Sequence, residues 1–61
     1  MNDSEAETIA IELIGHMEAA RLRIEELRTN AGSNGFNARA LSIAMTELET
    51  AQLWVANARP E

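Results

Sequence analysis

The chain has 61 residues, enough for one domain, and a domain of this size buries only roughly 60% of the surface that its unfolded chain exposes. Ten acidic and five basic residues give a formal net charge of −5, which opposes binding to polymeric nucleic acid or to an anionic membrane. The absence of cysteine excludes disulfides and cysteine-based zinc sites, and the single histidine leaves no obvious metal cluster. We therefore expect a cytoplasmic protein, without a cofactor, that gains stability by self-association.

The first predicted element is a long helix over residues 5–31. The segment from Ser4 to Glu7 has the form of a capping box, and Gly32 is placed to end the helix in a left-handed cap. Apolar residues recur at the spacing of one helical face, namely Ala6, Ile9, Leu13, Met17, Ala20, Ile24, Leu27 and Ala31. Charged residues at the same spacing predict ion pairs along the exposed flank, namely Glu18, Arg21, Glu25 and Arg28.

The stretch NAGSNGFN at residues 30–37 interrupts this periodicity and is rich in residues that favour turns. It predicts a loop over residues 32–37 that joins the first helix to a second one. Two helices joined by a short loop form an antiparallel hairpin. The predicted fold is therefore all-α, a single helical hairpin domain over residues 1–61.

The second helix is predicted over residues 38–58. Asn37 is a favoured N-cap residue, and Phe36 and Leu41 have the spacing of a hydrophobic staple across it. Pro60 disfavours helical geometry in the residue before it, so the helix ends near Ala58. Its main apolar face consists of Leu41, Ala44, Leu48, Ala51, Val55 and Ala58.

Each helix carries a second set of residues away from this main face. The set comprises Ile11, Gly15 and Leu22 in helix 1, and Ile43, Thr50 and Trp54 in helix 2. A two-helix hairpin buries one face per helix, so this second set would stay exposed on a monomer. Gly15 costs about 1 kcal/mol relative to alanine inside a helix, which close contact with another helix would explain. We predict a homo-oligomer with these residues in the interface and Trp54 as its anchor.

The sequence contains no pattern that predicts an enzyme, such as a nucleophile with a base or a pair of convergent carboxylates. The start of helix 2 is a candidate anion site, because backbone N–H groups are free there and the helix dipole is positive. Arg39 lies in this first turn, and Ser42 and Thr46 share its side of the helix. The alternative is that Arg39 is a solvated side chain and that the two hydroxyls beside it are incidental.

The run from Asn37 to Ala58 resembles the helical hairpin of phage anti-CBASS sponges and of related sponges that antagonise Thoeris defence. The shared pattern is an arginine at the start of the helix, followed by Ser-aliphatic-Ala-aliphatic-Thr-x-Leu-Glu-x-Ala-x-x-Trp. The matching positions, in roughly the second half of the chain, are Arg39, Ser42, Ile43, Ala44, Met45, Thr46, Leu48, Glu49, Ala51 and Trp54.

This resemblance implies a viral, homo-oligomeric protein, hexameric in the anti-CBASS branch, that acts in the cytoplasm of the host cell. It implies binding of a cyclic di- or trinucleotide, or of a cyclic ADP-ribose isomer, between protomers and without cleavage. Arg39, Thr46 and Ser42 would lie at the ligand pocket, with Asn37 as an amide side chain beside them. Phe36 would be the aromatic residue that stacks on a base, unless it serves as the staple instead.

Two other interpretations of the sequence remain open. One is a structural or inhibitory helical hairpin that docks an acidic helical face on a basic host protein. The other is a small hydrolase that acts on the same cyclic nucleotides and would release them altered.

Overall fold

The computed structural model describes residues 1–60, which form three helices in an arrangement measuring 47 × 15 × 13 Å. Helix α1 spans Asp3–Thr29, the short α2 spans Ala31–Asn34, and α3 spans Ala38–Ala58. No strand occurs within this part of the chain, so the prediction of an all-α protein is confirmed.

Helix α1 begins two residues earlier than predicted, because Asn2 and not Ser4 caps it. The Asn2 Oδ1 atom accepts a hydrogen bond of 2.8 Å from the backbone N–H of Glu5, and Asn2 Nδ2 donates to Glu5 Oε1 at 3.3 Å. This arrangement resembles the predicted capping box but lies two residues closer to the N-terminus, and the Glu5 carboxylate accepts from the Asn2 side chain rather than from its backbone N–H. The Glu7 carboxylate, predicted to complete the box, instead pairs with Arg59.

The end of α1 was also predicted wrongly, because Gly32 does not cap it. The helix ends at Thr29, and the Asn30 side chain donates a 2.8 Å hydrogen bond to the carbonyl oxygen of Glu26. Gly32 lies inside α2, and the left-handed glycine is Gly35, with a φ of +83° and its N–H bonded to the carbonyl of Ala31. The predicted loop over residues 32–37 is therefore reduced to residues 35–37.

Helix α3 covers the same residues as the predicted second helix. The Asn37 Oδ1 atom accepts a 2.9 Å hydrogen bond from the backbone N–H of Ala40, as expected of an N-cap residue. Phe36, the proposed staple residue, keeps 54% of its surface exposed, whereas Leu41 is half-buried. The cap rather than a staple is therefore the clearest local reason for the start of α3.

Helix α3 runs back along α1 in the antiparallel direction. Near the middle of the pair, Gln52 Nε2 donates to the carbonyl oxygen of Ile14 at 3.5 Å, and near the open end Arg59 pairs with Glu7. The half-buried apolar residues of the two helices are Ala10, Ile14, Met17, Ile24, Leu41, Ala44, Met45, Leu48, Ala51 and Val55. Among residues 1–60 only Ala31 is buried, with 7% of its surface exposed.

The face of α1 that packs on α3 differs from the prediction. Ile9, Leu13 and Leu27 were expected in the core but are 49%, 42% and 37% exposed. Ala10 and Ile14 take their places beside α3. Helix α1 carries two adjacent apolar rows, and periodicity alone does not decide which of them faces the partner helix. One of the two rows is consequently left at the surface.

Candidate functional site

The predicted anion-binding residues lie on the side of α3 that faces away from α1. Arg39, Ser42 and Thr46 occupy successive turns and line a shallow depression with a volume of about 370 Å³. Ile43 and Glu47 complete its lining. We refer to this surface as the outer face of α3. The structure thus brings three of the predicted ligand-binding residues together on an accessible surface.

Arg39 differs from the other arginines in its surroundings. Within residues 1–60 each of the other four pairs with a carboxylate, as Arg21–Glu18, Arg23–Glu26, Arg28–Glu25 and Arg59–Glu7. In the same part of the chain Arg39 has no carboxylate within ion-pair distance, so its guanidinium can bind an external anion. Glu47, two turns further along the same depression, brings a negative charge that partly opposes such binding.

The hydroxyl groups on this face are already used as donors. Thr46 Oγ1 donates to the carbonyl oxygen of Ser42 at 3.1 Å, and Thr50 Oγ1 donates to that of Thr46 at 3.0 Å. A hydroxyl whose hydrogen is engaged in this way still has lone pairs with which to accept. In this arrangement the Thr46 hydroxyl can accept a hydrogen bond from an external donor but is not free to donate one.

Asn37 and Phe36 lie next to this surface, at the N-terminal end of α3. The Asn37 Oδ1 atom is occupied by the N-cap hydrogen bond, which leaves its Nδ2 group as a donor. Phe36 is 54% exposed, and its backbone N–H donates to Asn34 Oδ1 at 2.9 Å. Both residues are accessible, but neither lines the depression that contains Arg39.

The six predicted interface residues are all exposed. The large ones are Ile11 at 57%, Leu22 at 53%, Ile43 at 50% and Trp54 at 69%. A Cβ atom built on Gly15 would have no neighbouring atom within 4 Å. No close contact inside the chain therefore accounts for a glycine at this position.

The structure separates these six residues, which lie on different sides of the contact between α1 and α3. One side is polar, because the Glu18–Arg21 pair lies there beside Gln52 and Glu49. The hydrogen bond from Arg21 is the main cause that lowers the pKa of Glu18, and the same pair raises the pKa of Arg21. We call this the ion-paired side. The residues at helical spacing from Glu18 on its flank are Ile11, Gly15 and Leu22.

The opposite side of the α1–α3 contact is apolar. A groove with a volume of about 310 Å³ lies there, lined mainly by Ala6, Ile9, Leu13, Val55 and Ala58. Trp54 precedes Ala58 by four residues, so helical geometry places it on this side, with Thr50 one turn further along. Of the predicted interface residues, Trp54 therefore lies beside this groove, whereas Ile43 lines the depression on the outer face of α3.

Sequence reasoning missed this groove because it assigned Ile9 and Leu13 to the core. It also passed over Leu53, which is 65% exposed and follows Thr46 by seven residues, on the outer face of α3. The available signal was the presence of two apolar rows on α1, since a two-helix protein can cover only one of them.

Comparisons with family models, with characterised proteins and with solved structures find no match for this chain. The resemblance to the anti-CBASS and anti-Thoeris sponges therefore stays a prediction from the sequence. Within residues 1–60, no helix has the length and apolar character required to span a membrane.

Proposed function

We propose that this chain is a non-enzymatic sponge, which binds a cyclic oligonucleotide or cyclic ADP-ribose-like second messenger and withholds it from its receptor. The helical hairpin is the unit that assembles into a homo-oligomer, and the ligand lies between protomers. The observation that carries the proposal is Arg39, the arginine without a carboxylate partner within residues 1–60, beside the hydroxyl groups of Ser42 and Thr46.

The chemistry of the outer face suits a phosphate ester with polar groups nearby. A guanidinium binds phosphate through two parallel N–H donors, and such charge-assisted hydrogen bonds are stronger than neutral ones. The acceptor lone pairs of Thr46 complement hydroxyl or N–H donors on a nucleoside. A net charge of −5 opposes a polyanion, so arginines from neighbouring protomers are needed to make the pocket locally positive.

Isothermal titration calorimetry with a panel of cyclic dinucleotides, cyclic trinucleotides and cyclic ADP-ribose isomers tests this proposal. At least one of these ligands should bind the parent protein. Arg39→Ala should weaken that binding at least tenfold, because a charge-assisted hydrogen bond is worth roughly 1.5–3 kcal/mol. Sedimentation should show the same assembly for both proteins.

The matched control is Arg23→Ala, which removes an arginine that is 80% exposed and paired with Glu26. It changes the net charge by the same amount and should leave the affinity nearly unchanged. Equal affinity for Arg39→Ala and the parent protein would remove Arg39 from the site. The absence of heat with every ligand of the panel would reject the sponge function for these ligands.

The alternative functions give different results with the same purified protein. A hydrolase would release an altered nucleotide after heat denaturation, whereas a sponge releases the bound molecule intact. An inhibitory hairpin would retain one host protein stoichiometrically and no nucleotide. The exposed Glu26 and the other surface carboxylates suit a basic partner of this kind.

A further inference from the structure

The apolar groove and Trp54 lie on the same side of the helix pair, within one helical turn of each other. We propose that Trp54 of one protomer inserts into this groove on a second copy of the chain, and that the second copy returns the same contact. The inference concerns self-association only and does not rest on the identity of any ligand.

The groove has the size and lining that an indole ring needs. Its volume is about 310 Å³, and its walls carry the methyl and methylene groups of Ile9, Leu13 and Val55. For comparison, an apolar cavity of about 150 Å³ accommodates benzene. Ala6 and Ala58 leave the groove open at positions where larger side chains would fill it.

Trp54 does not fill the groove of its own chain, because 69% of its surface is exposed. It precedes Ala58, which lines the groove, by one helical turn. In a dimer with two-fold symmetry, the same surface patch of each copy forms the interface. A patch that holds both an exposed side chain and a groove that fits it can form such an interface, because Trp54 of each copy then enters the groove of the other. The surface is therefore complementary to itself.

The total surface area also favours a second copy. The chain exposes 4740 Å². A folded monomer of its mass, 6.7 kDa, is expected to expose about 3,900 Å². The excess is about 800 Å², which equals the area that each partner buries in a standard protein–protein interface. Covering one face of the helix pair with a copy of itself would remove an area of this size.

The charges of the two sides have to be compared before one of them is chosen as the contact surface. Each copy carries a net charge of −5, so two copies repel each other unless the surfaces that meet are low in charge. Carboxylates of Glu18 and Glu49 lie on the ion-paired side. At the groove, Glu7 is neutralised by Arg59, although Asp3 also lies at its rim. The Glu18–Arg21 pair is neutral in the same way, so each side keeps one carboxylate outside its ion pair, and the apolar lining of the groove rather than charge favours it as the contact surface.

The test combines sedimentation equilibrium with the fluorescence of Trp54, the single tryptophan of the chain, across a dilution series of the full-length protein. The parent protein should dimerise, and its emission should shift to shorter wavelength as the concentration rises. Leu13→Gln, at the groove, should weaken dimerisation at least tenfold. Leu22→Gln, on the ion-paired side, should leave it unchanged although Leu22 is equally apolar and more exposed.

A second pair of variants covers the case in which Leu13→Gln fails to fold. Ala6→Phe fills the groove from within the chain and keeps the surface apolar, so it should block dimerisation while circular dichroism shows the helices intact. Ala19→Phe places the same side chain at an exposed position of α1 that does not line the groove and should dimerise like the parent.

Three results would overturn the inference: a parent protein that stays monomeric at all concentrations, normal dimerisation of Ala6→Phe, or loss of dimerisation in Leu22→Gln equal to that in Leu13→Gln. The outcome is separable from that of the proposed function. A monomer that binds a cyclic nucleotide would contradict the dimer and the placement of the ligand between protomers, but not the sponge function itself. A groove-dependent dimer that binds none of the ligands would contradict the sponge only.

Discussion

Replacing Trp54 with alanine should affect association far more than it affects the helix pair itself. A large aromatic side chain buries about 150–250 Å² when it is fully covered. Because 69% of Trp54 is exposed, association can remove at most roughly 100–170 Å² of it from water. At about 25 cal/mol per Å² this is worth about 2.5–4 kcal/mol for each tryptophan, or two to three orders of magnitude in the dissociation constant for each of the two that a symmetric dimer buries.

Inside one chain the same substitution removes much less. The part of Trp54 that its own chain covers accounts for only about 1–2 kcal/mol of folding free energy by the same area calculation. Leu53→Ala is the matched control, since Leu53 is the preceding residue and is 65% exposed, but it lies on the outer face of α3 away from the groove. It should change dimer stability by less than about 0.5 kcal/mol, as is usual for surface substitutions.

Sedimentation equilibrium measures the dissociation constant, and circular dichroism at several protein concentrations measures the thermal midpoint. The parent and Leu53→Ala should share one dissociation constant and a midpoint that rises with concentration, since association stabilises the folded state. Trp54→Ala should dissociate at least a hundredfold more easily. Equal dissociation constants for Trp54→Ala and Leu53→Ala would refute the role of Trp54 as the interface anchor.

Two further predictions concern the folding of the helix pair. Gly35→Ala should lower the free energy of unfolding by about 1–2 kcal/mol, because φ is +83° there, whereas Gly32→Ala, inside α2, should be neutral or stabilising. Urea unfolding measures both, and equal effects would show that the left-handed cap is not at Gly35. The second concerns acid: the hydrogen bond from Arg21 lowers the pKa of Glu18 from its ordinary value of 4.5. The ionised Glu18 therefore stabilises the folded state above pH 4.5. This contribution is lost as the pH falls below 4.5 and Glu18 becomes protonated at its lowered pKa. Thermal unfolding followed over this range should be less pH-dependent for Glu18→Gln than for the parent, and identical profiles would contradict a role for the pair.

The parts of the fold that were predictable depend on signals local to a few residues. Asn37 can cap the helix that follows it whatever the rest of the chain does, and Pro60 limits that helix whatever packs against it. The turn was less predictable, because Gly32 and Gly35 are both compatible with a left-handed conformation. Asn30 decides between them, since its side-chain hydrogen bond to Glu26 closes α1 before Gly32 is reached.

The face of α1 that packs on α3 could not be read from periodicity. Two apolar rows lie side by side on this helix, and Met17 and Ile24 suit either of them. Which row is covered depends on how α3 crosses α1, and this is a property of the tertiary packing. The packing of Ala10 and Ile14 on α3, rather than of Ile9 and Leu13, creates the exposed groove. The sequence therefore indicates that one apolar row stays exposed but not which one.

The position of the candidate site was predictable, but the lack of an ion-pair partner for Arg39 was not. Residues 39, 42 and 46 follow helical spacing, so the sequence alone places them on one face of α3. The pairing of Glu18 with Arg21 and of Glu25 with Arg28 was also predicted, and both ion pairs occur in the structure. The sequence could not show whether Arg39 has such a partner, because an arginine can also pair with a carboxylate far away in the chain. Arg59 pairs with Glu7 in this way.

The separation of the groove from the outer face of α3 constrains how the proposed sponge could work. A dimer built through Trp54 leaves Arg39, Ser42 and Thr46 uncovered, because helical geometry directs them away from α1 and from the groove. The dimer contact does not by itself join two of these sites. A ligand held by two copies of Arg39 therefore requires a second contact, between outer faces, where Leu53 supplies exposed apolar surface. The calorimetric stoichiometry distinguishes the cases: one ligand per chain means that Arg39 acts singly, and one ligand per two or more chains means that the outer faces meet.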